Sequence, residues 1–369
     1  MQYRCLSSLD ELSDHEDKWE GLRHRSGGPI FTSYHMVSIW LRSFGHLAAP
    51  RILLVEDGGE LVGVAPLALR SQTMMGIHVR TLSFAGDIDK KLGFSTFSII
   101  IHPEMPAAAR HMEKALGSLD WNVLRIRFME DTPATWQFMD RIQTSLDGQQ
   151  VRPSITLSCP IPPEGDVLAR FGRSYRKNIH QRMRRLDRDA DVVFRPILED
   201  RVDAAVDTYA MQHIERWADK GGSFFCDPDN VVFLKSLTTM SLSQGTGYAY
   251  ELLIDGEVAA QRFGFKEGDT AWGYMVGMNN AFADYSPGLL LLNQVMEALR
   301  DKGVSMLNLG EGGQAHKYHM GVQEAQLLGM QANRGLVSTI SKAASSSLAK
   351  RLDSVLGFKH RLLKDDRTG

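Results

Sequence analysis

The sequence predicts an α/β protein of two tandem domains, each a mixed, mostly antiparallel sheet flanked by helices. Three observations carry this. The chain has 369 residues, 43% hydrophobic and 23% charged, a globular composition long enough for two domains of roughly 100–200 residues. Two strand–turn–strand segments, Arg51–Arg70 and Tyr250–Lys266, each turn on an Asp-Gly pair (Asp57-Gly58 and Asp255-Gly256) between apolar flanks, the short-range signature of a hairpin. Each hairpin is also followed by a helical pattern and a further strand.

In order along the chain, the first hairpin leads to a helix near Pro106–Leu116 and a strand near Asn122–Phe128. Gly, Pro and polar residues cluster over 148–163 and mark the join, which places the domains at 1–150 and 151–335 with a basic amphipathic tail at 336–369. Beyond the join, Phe171, Tyr175, Ile179, Met183 and Leu186 recur three or four apart, the stripe of an amphipathic helix. A second helix over Asp200–Lys220 closes at Gly221-Gly222. The second hairpin leads to a strand near Thr270–Gly277, a helix over about 287–302 and a strand near Ser305–Leu309. One building block used twice is the economical reading; chance likeness between two hairpins is the alternative.

Some classes are excluded early. Cys5, Cys159 and Cys226 are scattered and odd in number, which argues against a disulfide framework or a structural zinc. The start has no apolar core of signal-peptide length, and no stretch reaches the ~18 apolar residues of a membrane span. The expectation is a cytoplasmic protein. The formal net charge of −2 says little about partners. No P-loop, nucleophile elbow, H-E-x-x-H or dinucleotide fingerprint occurs.

Chemistry concentrates in the second half. Pro287 in a first helical turn, Ser286 as a cap and Gly288, Leu289 and Leu290 beyond it describe a helix start with exposed amides at a strand's carboxyl end, a natural phosphate seat. The matching start in the first half carries Glu104, which would repel a phosphate and satisfy the dipole itself. Between Arg170 and Arg188 stand eight Lys or Arg residues against one acid, Asp187, a local positive field for an anionic partner. Within it Arg173, Tyr175, Arg176 and Lys177 are candidate contacts. His213 and Arg216 share a helix face with Trp217 beside them, and His213 can act as a general base; a structural histidine is the even alternative. In the loop after Leu309, Glu311 could take a proton from an attacking amine or hydroxyl and Lys317 could stabilise an oxyanion. His316 and His319 lack a third ligand, so no metal is expected.

The order of these features resembles the FemAB-like, CelD-type branch of the GNAT acyltransferase superfamily. It runs from Ser174–Asn178 through Arg216-Trp217, the hairpin into Val258-Ala259-Ala260 and the Ser286–Leu290 helix start to Leu309-Gly310-Glu311 and Lys317. It covers about 167–330, and the first half matches more weakly through Ala65-Pro66-Leu67. The resemblance implies two GNAT-like domains, the first without an evident cofactor site, and transfer of an acyl group, with acetyl-CoA or another acyl-CoA as donor. Met275, Val276 and Gly277 would meet the pantetheine and Ser286, Gly288, Leu289 and Leu290 the phosphates. Gln261 and Tyr274 join Arg216 and Trp217 as substrate contacts. One departure stands out: where acetyl-CoA enzymes carry a glycine-rich turn led by Arg or Gln, this chain has Asp284-Tyr285-Ser286-Pro287-Gly288, which leaves the donor open between acyl-CoA, an acyl carrier protein and an aminoacyl-tRNA.

The leading expectation is therefore an N-acetyltransferase acting on an amino sugar or a lipid- or nucleotide-linked envelope or exopolysaccharide precursor. An aminoacyl-tRNA-dependent Fem-type ligase and a regulatory protein sensing a nucleotide second messenger are the rivals. The expected partners are the small-molecule or lipid-linked sugar and, through the tail (Lys342, Lys350, Arg351, Lys359, Arg361, Lys364), an anionic membrane or a polysaccharide-synthesis complex. DNA is not among them.

Overall fold

Each Asp-Gly hairpin joins the second and third strands in the strand order of its own unit. The computed structural model describes residues 1–74, 76–335 and 337–338. These fall into two units, one of residues 1–89, 93–154 and from 326 onward, the other of residues 90–92 and 155–325.

The first unit opens with β1 (Gln2–Leu6), α1 (Leu9–Leu12), α2 (Glu16–Ser26) and α3 (Tyr34–Phe44). The hairpin β2 (Ala49–Asp57) and β3 (Glu60–Met74) follows, then β4 (Ile77–Phe84), the short β5 (Ile100–Ile101), α4 (Ala108–Ser118), β6 (Val123–Glu130), α5 (Pro133–Leu146) and the short β7 (Gln149–Gln150). Strands β1 to β4 form an antiparallel meander. Strand β6 lies parallel to β4, and antiparallel to its far side lies β14 (Gln323–Asn333).

The second unit contains β8 (Ser154–Pro160), α6 (Arg173–Asp189), β9 (Val192–Pro196), α7 (Val202–Trp217), α8 (Pro228–Ser243), β10 (Gly247–Ile254), β11 (Glu257–Glu267), β12 (Thr270–Met278), α9 (Pro287–Arg300), β13 (Met306–Glu311) and α10 (Ala315–Tyr318). Its pattern is the same: β9 to β12 antiparallel, β13 parallel to β12, and β8 antiparallel to β13. One motif is thus used twice. The final strand of each is exchanged, because β8 follows the first unit in sequence and β14 follows the second. This moves the boundary expected at 335 to Ala325, since Leu327–Asn333 pairs with β6.

Side-chain alternation gives the second sheet two covered faces. Tyr248, Tyr250, Leu252 and Ile254 of β10 join Ile179 and Leu186 of α6 and the leucines of α9 in one core. Phe171, Tyr175 and Met183 complete the stripe read in the sequence. On the opposite face, Tyr209 of α7 packs edge-on against Phe263 of β11 and Phe225.

Three expectations are corrected. In the first hairpin the left-handed residues are Gly58 and Gly59 rather than the Asp-Gly pair, because the loop falls one residue later. In the second, Asp255 and Gly256 both take positive φ as expected. Helix α4 starts at Ala108 with no acid in its first turn, so Glu104 lies ahead of the helix and satisfies no dipole. Helix α8 was not foreseen: its Val, Thr and Ser content reads poorly as helix, although Asp227 caps it and Pro228 opens it. The basic residues of the tail lie outside the described residues; Val337, ahead of them, packs on Val79 and Val123.

Candidate active site

Strands β12 and β13 pair only at Thr270–Trp272 against Met306–Asn308. Residues 273 and 275–278 remain paired to β11 on one edge, and 273–278 have no strand partner on the other among the described residues. Both flanks of the fork carry bulges, one between Phe263 and Gly264 and one between Asn308 and Glu311, and a bulge re-aims a strand. Asn308 fixes the divergence: its Oδ1 accepts from the Thr156 hydroxyl at 3.0 Å and from the Gly310 amide at 2.8 Å, while Gly310 holds a left-handed φ of 78°. The result is a V-shaped gap at the carboxyl end of a parallel strand pair, where α/β sheets form crevices.

The first unit shows why it lacks such a gap. There β4 pairs with β6 at Thr81–Ser83, at its very end. Beyond that, Phe97 continues the ladder: its amide donates to the Phe128 carbonyl at 2.8 Å, and its ring stacks on Phe84 at 4.8 Å. The chain itself occupies the edge that is open in the second unit.

Helix α9 begins where β12 ends. Pro287 occupies the first turn as expected, but Ser286 does not cap it: it sits at φ 55°, ψ 55° with no capping hydrogen bond. Its hydroxyl instead accepts from Arg182 Nη1 at 2.8 Å, and the same nitrogen donates to the Asp284 carbonyl at 2.6 Å. Arg185 stacks its guanidinium over Tyr285 at 5.2 Å. The Leu289 and Leu290 amides donate to the Ser286 carbonyl, which leaves the Gly288 amide as the one without a partner there among the described residues. A Cβ on Gly288 would meet nothing nearer than Val276 at 3.9 Å. In place of the expected row of free amides, the helix start offers one free amide with the arginines of α6 beside it. The basic helix and the helix start, read separately in the sequence, form one place. Asp284 is exposed.

The remaining candidates divide between the two faces of the sheet. Met275 accepts from the Tyr209 hydroxyl at 3.5 Å and so points toward α7. Val276 is 48% exposed beside Gly288. The Tyr209 ring lies 2.6 Å from where a Gly277 Cβ would stand. Gln261 is a strut, its amide donating to the Ala205 carbonyl of α7 at 3.0 Å. Tyr274, the unmatched residue of the β11–β12 bulge, buries its hydroxyl without a hydrogen-bond partner. His213 shares a 2.8 Å hydrogen bond with Ser223 and stacks on Trp217. Burial, and then the nearby Arg216 charge, lower its pKa, which favours the neutral imidazole.

On β13 and the loop beyond, Lys317 donates to the carbonyls of Leu309, Glu311 and Gly312 at 3.0, 3.3 and 3.3 Å. An ammonium has three protons, so Lys317 clamps the loop that ends the fork. Burial lowers its pKa, the Glu311 carboxylate opposes this, and Arg262 adds to it. Glu311 is exposed at the end of β13. His213 sits on the α7 face, among Ser223, Tyr209, Trp217 and Phe225. In α6, Tyr175 stacks on Phe171 and meets the tilted His319 ring, Arg176 donates to the Ala169 carbonyl, and Arg173 and Lys177 are exposed.

Sequence reasoning passed over Arg182, Arg185 and Arg262. The first two lay unranked inside a charge run. Arg262 had a signal: it is a charge in an otherwise apolar strand, at the alternation that faces the core.

Residues 173–318 match the model described as an acetyltransferase (GNAT) domain. The chain carries a GNAT acetyltransferase domain. The acyltransferase fold is thus assigned to that segment, and the forked strands, the following helix and the clamped loop all lie inside it. The structure of FemX is similar over 89% of this chain and 97% of that one, with a TM-score of 0.61 and 11% identity. L-PGS from Bacillus licheniformis gives 92% and 96% coverage, a TM-score of 0.52 and 10% identity. A tandem GNAT protein from the clavulanic acid biosynthesis pathway gives 90% and 98%, 0.50 and 14%. Identities this low show the fold. No curated protein matches the sequence.

Proposed function

We propose that the GNAT domain transfers an acyl group, acetyl in the simplest case, from an acyl-CoA donor to the amine of an amino sugar or a related envelope or exopolysaccharide precursor. The observation that carries the donor is the fork: an unpaired edge at residues 273–278 running to the Gly288 amide and the Arg182 guanidinium. An extended amide-bearing arm can pair with a free strand edge, and its phosphates then fall at a helix start flanked by cations. The acceptor rests on the resemblance alone.

What the chain's own residues contribute is position and proton transfer. Gly288 leaves space for a phosphate, Arg182 and Arg185 supply positive charge, and the loop held by Lys317 fixes the far wall. His213, neutral at pH 7, and the exposed Glu311 carboxylate are the proposed proton acceptors. Holding two reactants in register supplies much of the rate in such transfers.

Calorimetry with acetyl-CoA tests the donor. Wild-type protein should bind it, and Gly288→Asp, which brings a carboxylate to the seat without crowding the fold, should not. Absence of binding to the wild type would overturn the reading. An aminoacyl-tRNA donor is the second reading, favoured by the exposed cations of α6; it requires RNA binding whose affinity falls steeply with salt.

A further inference from the structure

Arg262 is 9% exposed, and its Nε is buried without a hydrogen-bond partner. No ion pair or hydrogen bond to its guanidinium is found among the described residues. Register places it opposite Tyr250 on one side and Val276 on the other, on the sheet face covered by α6 and α9. Gly273, the first residue of the fork, makes room for it: a Cβ there would stand 3.3 Å from Arg262 Nη1 and 3.5 Å from the Asn308 carbonyl. The second cation, Lys317, is close enough to act on it electrostatically. The nearby Tyr248 hydroxyl is committed to the Trp272 carbonyl at 3.2 Å.

An unpaired buried guanidinium is costly. An isolated cation at the throat of an active-site gap, with a glycine cleared for it, has the character of a receptor whose anion arrives with the substrate. A phosphate is expected at the other end of the gap, on α9. The planar fork of arginine matches a carboxylate in two parallel hydrogen bonds.

We propose that Arg262 is a specificity-determining residue that binds a substrate carboxylate at the base of the β12–β13 fork. This rests on the acyltransfer reading of the same gap. The carboxylate belongs either to the acyl group of the donor or to the acceptor, and one set of titrations separates the two.

The full chain is titrated with acetyl-CoA and malonyl-CoA, which differ by one carboxylate, and its coenzyme A complex is titrated with acetate. A donor-borne carboxylate makes malonyl-CoA bind at least tenfold more tightly than acetyl-CoA. An acceptor-borne one makes the two thioesters bind alike while acetate binds the complex. In either case Arg262→Gln abolishes the carboxylate effect and leaves coenzyme A affinity unchanged, and Arg262→Lys retains part of it. Arg262→Gln also melts higher than the wild type, because it removes an uncompensated buried charge, so the loss cannot be ascribed to misfolding. Equal binding of both thioesters with no acetate binding, or discrimination that survives in Arg262→Gln, overturns the proposal. Failure of coenzyme A to bind the wild type sinks the donor reading. In that case acetate is titrated into the free protein, and binding lost in Arg262→Gln sustains the receptor, while no binding overturns it.

Discussion

Arg182, two turns into α6, reaches the Ser286 hydroxyl at 2.8 Å and the Asp284 carbonyl at 2.6 Å with a single nitrogen. That contact joins the basic helix to the helix start at the mouth of the fork. It also accounts for Ser286, whose side chain is drawn away from capping. The hydroxyl and carbonyl it holds lie near the surface, so water can replace the guanidinium without burying an orphan group.

Arg182→Ala is therefore expected to weaken acetyl-CoA binding about tenfold, the scale of one charge-assisted hydrogen bond. Its melting temperature should stay within a few degrees of wild type. Calorimetry and a thermal melt check the two halves separately.

Gly277→Ala presses a methyl into the Tyr209 ring, 2.6 Å from the ideal Cβ position. Overpacking of this kind costs about 1–3 kcal/mol. Because the strain falls on the free segment of β12, donor affinity should drop along with stability. A denaturant melt showing full stability would contradict the packing described.

Glu251 is 1% exposed and accepts from Arg195 Nε at 2.7 Å and Arg201 Nη2 at 2.8 Å. Glu251→Ala leaves two cations without their acceptor. Both arginines are partly exposed, so the loss should sit near or below the low end for broken buried pairs, about 2–3 kcal/mol. Urea unfolding at neutral pH measures it.

Glu130 closes β6, and burial pushes its pKa up to about 7. The folded state then holds the proton more tightly than the unfolded chain does. Its contribution is fully present below the ordinary carboxyl range and is lost as pH rises toward 7, by at most about 3 kcal/mol. Stability measured from pH 4.5 to 7.5 should show this fall against the background of other groups, and Glu130→Gln should flatten it.

Much of the fold was legible because it rests on local chemistry. The Asp255-Gly256 turn, the stripe from Phe171 to Leu186 and Pro287 each declare an element within a few residues. Where such signals were mixed, reading failed: α8 interleaves strand-favouring Val, Phe and Thr with Leu, Lys and Met, and its helical state is secured by the Asp227 cap and by packing of Phe233, Leu234 and Leu237. The exchange of β8 and β14 was invisible because strand order depends on contacts between residues far apart in the chain.

The site divides in the same way. The sequence alone determined that a helix opens at Pro287 after a strand, that a positive field precedes it and that glycines follow β13. Only the tertiary structure decided that Arg182 meets Ser286, that Lys317 spends its protons on three carbonyls, and that Arg262 stands unpaired beside Gly273. Local preferences act through neighbours in sequence, but which charge is paired and which is left waiting depends on strands that diverge where two bulges bend them apart.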